Sequence, residues 1–175
     1  MSAGGTRLRL VVIRHAPAED RAKFAESSRP DAERPLTARG REKMIANARG
    51  LHAIVPSLDV LATSPCARAV ETAEIVAREY GSIRVERVSV LEPGSRRDDV
   101  LEWLRTGRPD ATIAIVGHEP DLSELVAWLV AGDEAPFFTF KKGGAALIEL
   151  PSPVTPGRGV LRWLLSPAVL RSLPQ

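Results

Sequence analysis

The chain alternates short apolar runs with longer stretches in which apolar residues recur every three or four positions. Arg7 to Ile13 turns fully apolar towards its end, as a strand buried on both faces of a parallel sheet does. Pro17 to Pro35 has no lasting period and is rich in Ala, Asp, Glu, Arg, Ser and Pro. It predicts a long surface excursion with one helical turn around Ala22 to Ala25, and loops of this length in a compact domain are usually functional or mobile. Thr37 is placed to cap a helix that carries Met44, Ile45, Ala48 and Leu51 on one face, with Gly50 near its end. Leu58 to Ala62 predicts the second strand, which Thr63-Ser64-Pro65 breaks. Cys66, Ala69, Val70, Ala73, Val76, Ala77 and Tyr80 then form one continuous apolar stripe, the clearest helix in the chain, closed at Gly81.

Ile83 to Leu91 alternates valines with charged residues and predicts a strand near the sheet edge. Asp98 to Thr106 predicts a helix stopped by Gly107 and Pro109, and Ala111 to Val116 a further fully apolar strand, followed by Gly117-His118-Glu119-Pro120. A helix over Asp121 to Val130 and strands near Ala145 to Leu150 and Val160 to Leu165 complete the order. Strand and helix alternate, with neither repeats nor low complexity. The expected class is α/β: a three-layer α/β/α arrangement, a mostly parallel sheet with helices on both faces, and one or two antiparallel strands at the edge. At 175 residues and 44% hydrophobic, residues 1–175 are expected to form a single domain. Met1 to Thr6 are expected to be a flexible tail.

Charge excludes some partners. The chain has 24 basic and 22 acidic residues, a formal balance of +2, so the pI of 9.0 reflects no strong excess. Without clustered basic residues, and with aromatics at 5%, nucleic acid is not an expected partner. Cys66 is the only cysteine, which rules out an internal disulfide and fits a reducing cytoplasm. The N-terminal residues do not read as an export signal, and no apolar run approaches membrane-spanning length; a cytoplasmic chain without a membrane partner is expected.

The candidate chemistry comes from three features at one topological position. Arg14-His15 follows the first strand, Ser64-Pro65 leads to Arg68 after the second, and Gly117-His118 follows the strand at Ala111. In open α/β sheets ligands bind beyond the carboxyl ends of the strands, so two histidines and two arginines can converge there. Such a set suits a phosphoryl group. Guanidinium forks match phosphate oxygens and keep their charge, and a helix starting after Pro65 adds its N-terminal amides. A neutral imidazole can attack phosphorus and split one hard displacement into two, while a second histidine, if protonated, stabilises the oxygens. Glu92, expected at the end of a strand, is the best-placed carboxylic acid, with Glu119 and Asp121 as rivals beside His118.

Singly, each of these residues has a plainer explanation: most arginines are solvated, and one Arg-His pair is a weak signal. Jointly, that explanation for Arg14, His15, Arg68 and His118 needs four coincidences of position. Arg96 and Arg97 read as a solvated patch near the rim; Lys141 and Lys142 read either way, and His52 as inert. Cys66 is not a phosphatase nucleophile, because only Ala67 separates it from Arg68 where a cradle loop of several residues is needed. The three histidines and one cysteine have no metal-ligand spacing.

Arg14-His15-Ala16, Ser64-Pro65 with Arg68 and Thr72, and Gly117-His118 resemble the histidine phosphatase superfamily, the phosphoglycerate mutase-like fold. Arg34-Pro35-Leu36-Thr37 with Gly40, Gly117-His118-Glu119-Pro120 and the short length resemble the small SixA-type phosphohistidine phosphatases. The resemblance implies that His15 is transiently phosphorylated, that Arg14 and Arg68 hold the phosphate with His118 completing the pocket, and that Arg34 reaches it. It implies no metal or organic cofactor. Ala16 stands where glycine is more usual, and the insertions that cap the pocket of larger sugar-phosphate mutases have no counterpart, which favours a bulky substrate. The expected substrate is a phosphohistidine protein of the histidine phosphotransfer type; a small phosphorylated metabolite is the alternative, and an inactive phosphate- or phosphoprotein-binding module a third reading.

Overall fold

A computed structural model describes residues 7–132 and 135–174. The tail Met1 to Thr6 lies outside the described residues. β1 (Arg7–Arg14), β2 (Val60–Thr63), β3 (Val85–Arg87), β4 (Thr112–Gly117), β5 (Ala145–Pro151) and β6 (Val160–Leu165) form one sheet in the order β3-β2-β4-β1-β5-β6. The first four strands run parallel to their neighbours; β5 pairs antiparallel with β1, and β6 with β5. The mixed α/β architecture expected from the alternation is the one observed.

Side-chain alternation along β1 splits the core in two. Leu8, Leu10 and Val12 pack against Leu101 and Leu104 of α4 (Arg97–Arg105) and Leu122, Leu125 and Val126 of α5 (Asp121–Ala131). Val11 and Ile13 face Met44, Ala48 and Leu51 of α2 (Ala38–Ile54) and Ala69, Ala73 and Val76 of α3 (Ala67–Glu79). With apolar partners on both faces, β1 is continuously apolar from Leu10 to Ile13 and β4 is buried throughout, whereas edge strand β6 alternates exposed and half-buried residues. No described helix is long and apolar enough to cross a membrane.

Two elements differ from expectation. The strand expected over Ile83 to Leu91 is only Val85–Arg87, because its partner β2 offers three residues for pairing; the chain then turns through a 3-10 helix, Ser89–Leu91, that tucks Leu91 into the core. A short helix, α6 (Pro167–Ser172), follows β6, capped by the Ser166 hydroxyl. Six residues are too few to display a helical period, and Leu170 alone anchors it in the core. In the excursion after β1, α1 (Arg21–Ala25) and a 3-10 turn (Asp31–Glu33) are the regular segments.

Candidate active site

β1, β2 and β4 end side by side, with Arg14 in register with Gly117 and Thr63 with Val116. The residues that follow these strands therefore emerge at one edge of the sheet. Arg14, His15, Arg34, Arg68 and His118, together with Glu119 and Lys142, line one cleft of about 540 Å³. Of these, His15, Arg34, Arg68 and His118 are all buried.

His15 is oriented by its own backbone. Its Nδ1 lies 2.7 Å from the Ala16 carbonyl, which can only accept, so Nδ1 carries the hydrogen and Nε2 keeps its lone pair. Burial first, and then the Arg68 and Arg14 charges, lower its pKa from 6.5 to about 4. His15 is thus neutral and nucleophilic at neutral pH. His118 stands with its ring centroid 5.2 Å from that of His15. Its Nε2 is 2.8 Å from the Ser64 hydroxyl, which also receives the Cys66 amide hydrogen. The Ser64 hydroxyl hydrogen has no other acceptor among the described residues, so it is donated to Nε2, placing the His118 hydrogen on Nδ1. That nitrogen is buried without a partner. Burial, His15 and Arg68 lower the His118 pKa to about 3, so at neutral pH the cleft holds a neutral N–H donor at His118.

The two arginines share one design. Arg14 Nη1 donates to the Phe140 carbonyl, and Arg68 Nη1 donates to the Asp31 carbonyl at 2.9 Å. In both, Nε is buried with no partner. An unpaired buried N–H is costly, and a tetrahedral oxyanion is the kind of acceptor that guanidinium N–H groups take.

The surrounding chain fixes these groups. The Ala16 amide donates to Thr72 Oγ1, which donates in turn to the Arg68 carbonyl, linking the β1 end to α3. Gly143 closes back on β1, donating to the Arg14 and His15 carbonyls. It has φ +82°, and a Cβ there would stand 2.7 Å from Asn47 Nδ2, so the turn demands glycine.

Residues 10–92 match the model of the histidine phosphatase superfamily (branch 1). An uncharacterised protein of Picosynechococcus is 33% identical over 139 residues, 78% of this chain and 82% of its own. The chain belongs to the histidine phosphatase superfamily. A structure of the protein histidine phosphatase SixA complexed with tungstate is similar at TM-score 0.77 and 26% identity, covering 93% of this chain and 99% of that one. A putative phosphohistidine phosphatase SixA from Agrobacterium tumefaciens shares the fold at TM-score 0.72 and 20% identity, covering 90% and 97%. A phosphoserine phosphatase mutant from Entamoeba histolytica shares it at 0.69 and 15%, covering 91% and 98%. The protein is a phosphatase of the SixA type.

Within this superfamily cleft, Ala16 stands at the position after the histidine and is fully buried, its methyl accommodated. Glu92 lies outside the cleft lining. The 3-10 turn that replaces the end of the expected strand leaves it exposed at an adjoining cavity, which it shares with His118 and Asp121. Glu119 is in the cleft: its Oε2 accepts from the Ser123 hydroxyl at 2.8 Å, its Oε1 is buried without a partner, and burial raises its pKa. Lys142 borders the cleft while Lys141 does not. Arg96 pairs with Asp98 at the surface, Arg97 stacks on Trp128 with 4.7 Å from guanidinium carbon to ring centroid, and His52 meets the edge of Tyr80.

Asp31 was not singled out by the sequence. Its carboxylate takes Arg34 Nε at 2.8 Å, Arg68 Nη1 at 3.2 Å and Arg21 Nε at 3.3 Å. Hydrogen bonds from Arg21 and Arg34, with the Arg68 charge, hold its pKa far below the usual carboxylate range. The signal was Asp31 three residues before Arg34, but nothing local tied it to Arg68.

Proposed function

We propose that this phosphatase removes phosphate from a phosphohistidine protein, of the histidine phosphotransfer type, through a covalent phospho-His15 intermediate. The observation that carries this reading is the locked tautomer of His15: a buried, neutral imidazole whose free Nε2 shares a cleft with two arginines that each have an unpaired Nε. The similarity to a SixA structure complexed with tungstate, a tetrahedral oxyanion like phosphate, supports the same pocket.

In the first step His15 Nε2 forms a bond to phosphorus as the bond to the leaving nitrogen breaks, and that bond's electron pair returns to the leaving ring. Arg14, Arg68 and the His118 Nδ1–H hold the non-bridging oxygens, with Arg34 and Lys142 adding positive charge at the cleft. Water then attacks phospho-His15, releasing inorganic phosphate and restoring the neutral imidazole, with the Glu119 carboxylate taking the water's proton. For an ester substrate Glu119 instead donates the proton that the departing oxygen needs, a role that its burial-raised pKa suits.

The cleft rim supports a bulky substrate. Glu19, Asp20, Arg21 and Lys142 border the cleft and are exposed, so the mouth is a surface that a folded phosphoprotein can approach. We place the activity in the cytoplasm, in keeping with Cys66, which is buried and unpaired. Turnover of a phosphohistidine protein against a panel of phosphorylated metabolites, phosphoserine among them, tests the substrate. Preference for the protein by a hundredfold or more in kcat/KM is expected; turnover of metabolites alone would overturn the assignment.

A further inference from the structure

A second cavity, about 240 Å³, adjoins the phosphate cleft, and His118 borders both. Glu92 borders this cavity and the next residue, Pro93, borders the cleft, so the two are also continuous along the chain. Val90, Leu91, Val100, Leu122 and Leu125 give the cavity apolar walls, and three carboxylates, Glu92, Asp121 and Glu124, face one cation, Arg97. Asp121 is held by the Gly94 amide at 2.9 Å. Neither Glu92 nor Glu124 has a side-chain hydrogen bond or ion pair among the described residues. His118, which joins the two spaces, is itself only 4% exposed with Nδ1 unpartnered.

Apolar walls with excess negative charge are suited to a flat, partly apolar cation, and they disfavour an anion. We infer that this cavity is the leaving-group subsite and that it takes a protonated nitrogen heterocycle, the imidazolium ring of a phosphohistidine, in preference to a neutral or anionic leaving group. The inference rests on the phosphatase reading above and adds the origin of its selectivity. With the phosphoryl group between Arg14, Arg68 and His15, the substrate ring enters beside His118, and its far nitrogen keeps a proton under the field of Glu92, Asp121 and Glu124. As His15 Nε2 bonds to phosphorus, the P–N bond pair returns to the near nitrogen. The proton stays where it was, and the ring departs as neutral imidazole. No proton has to be delivered to the breaking bond.

The test compares phosphoimidazole with p-nitrophenyl phosphate, using full-length wild-type protein and the variants Glu124→Gln, Glu92→Gln and the double variant. The quantity read is the ratio of kcat/KM for phosphoimidazole to that for p-nitrophenyl phosphate. Each single substitution is expected to lower the ratio about threefold and the pair about tenfold, with weaker product inhibition by imidazole. A ratio within twofold of wild type in the double variant, or loss of both activities in parallel, overturns the inference and leaves the phosphatase reading intact. Wild-type protein that hydrolyses neither compound, or His15→Ala that still hydrolyses both, overturns the phosphatase reading and this inference with it.

Discussion

Asp31→Asn removes the charge that aligns the phosphate-binding arginines while preserving the side chain's shape. Arg34 and Arg68 have side chains only 9% and 4% exposed, and both lose the carboxylate that compensates them. Breaking a fully buried pair from one side is worth ~3–5 kcal/mol. The Asp31 side chain, however, is 37% exposed, so water screens it and the expected loss is smaller, ~2 kcal/mol. For a chain of this size that lowers Tm by roughly 4–8 °C. The Asp31 carbonyl still receives Arg68 Nη1, so the guanidinium stays in the cleft with looser aim. Misplacement on the order of 1 Å lowers turnover by about 10²-fold, and partial retention of the anchor sets the expectation at roughly tenfold or more. The loss falls mainly on kcat, because Asp31 aims an arginine and is not expected to touch the substrate. Steady-state turnover of an aryl phosphate alongside thermal melting measures both quantities. Wild-type kcat with an unchanged Tm, or a gain in kcat from freeing Arg68, would refute the reasoning.

Four further expectations follow from the same geometry. Nuclear magnetic resonance titration of the imidazole protons should find His15 and His118 ionising near pH 4 and pH 3; midpoints at 6.5 would show that burial does not control them. Both folded-state values lie below the unfolded value of 6.5, so the unfolded chain binds protons first on acidification. The stability they contribute is complete above about pH 6.5 and is lost between there and pH 3, so Tm should fall across that window and fall less in His118→Gln. Gly40→Ala brings a Cβ within 2.1 Å of the Pro17 carbonyl beside the cleft and should destabilise the fold by ~1–3 kcal/mol in urea unfolding; an unchanged midpoint would show that α2 can shift. Glu119→Gln should slow the single-turnover phosphorylation of His15 by an alkyl phosphate about 10²-fold and that by phosphoimidazole far less; equal losses in that first step would remove Glu119 from the proton-donor role.

The reach of the sequence followed the range of its signals. Arg14, His15 and His118 were legible because each sits where an apolar run stops, and Arg68 because it lies in the first turn of the helix that follows such a stop; a parallel sheet brings these stops to one edge. Arg34 and Lys142 share that cleft, although the sequence left their role between the site and the surface. Asp31 stayed hidden because its bond to Arg68 spans 37 positions, from a loop with no period to a helix. The Phe140 carbonyl that anchors Arg14 across 126 positions is a backbone atom, which no residue type announces. Glu92 was placed at the end of a strand, but with only Leu61 to Thr63 to pair against, that strand stops at Arg87. The turn that follows sets Glu92 beside a second cavity and leaves Glu119 as the carboxyl in the cleft. α6 was missed for want of length, not of capping, since Ser166 and Pro167 are both suited to a helix start.

The central claim is that phosphate passes through His15. Rapid acid-free denaturation during turnover of a phosphorus-32-labelled substrate, followed by peptide mapping at alkaline pH, should recover an acid-labile, base-stable phosphate on the peptide containing His15. That phosphate should be bonded to Nε2, and it should be absent in His15→Ala. Label on any other residue, or undiminished hydrolysis by His15→Ala, would contradict the account.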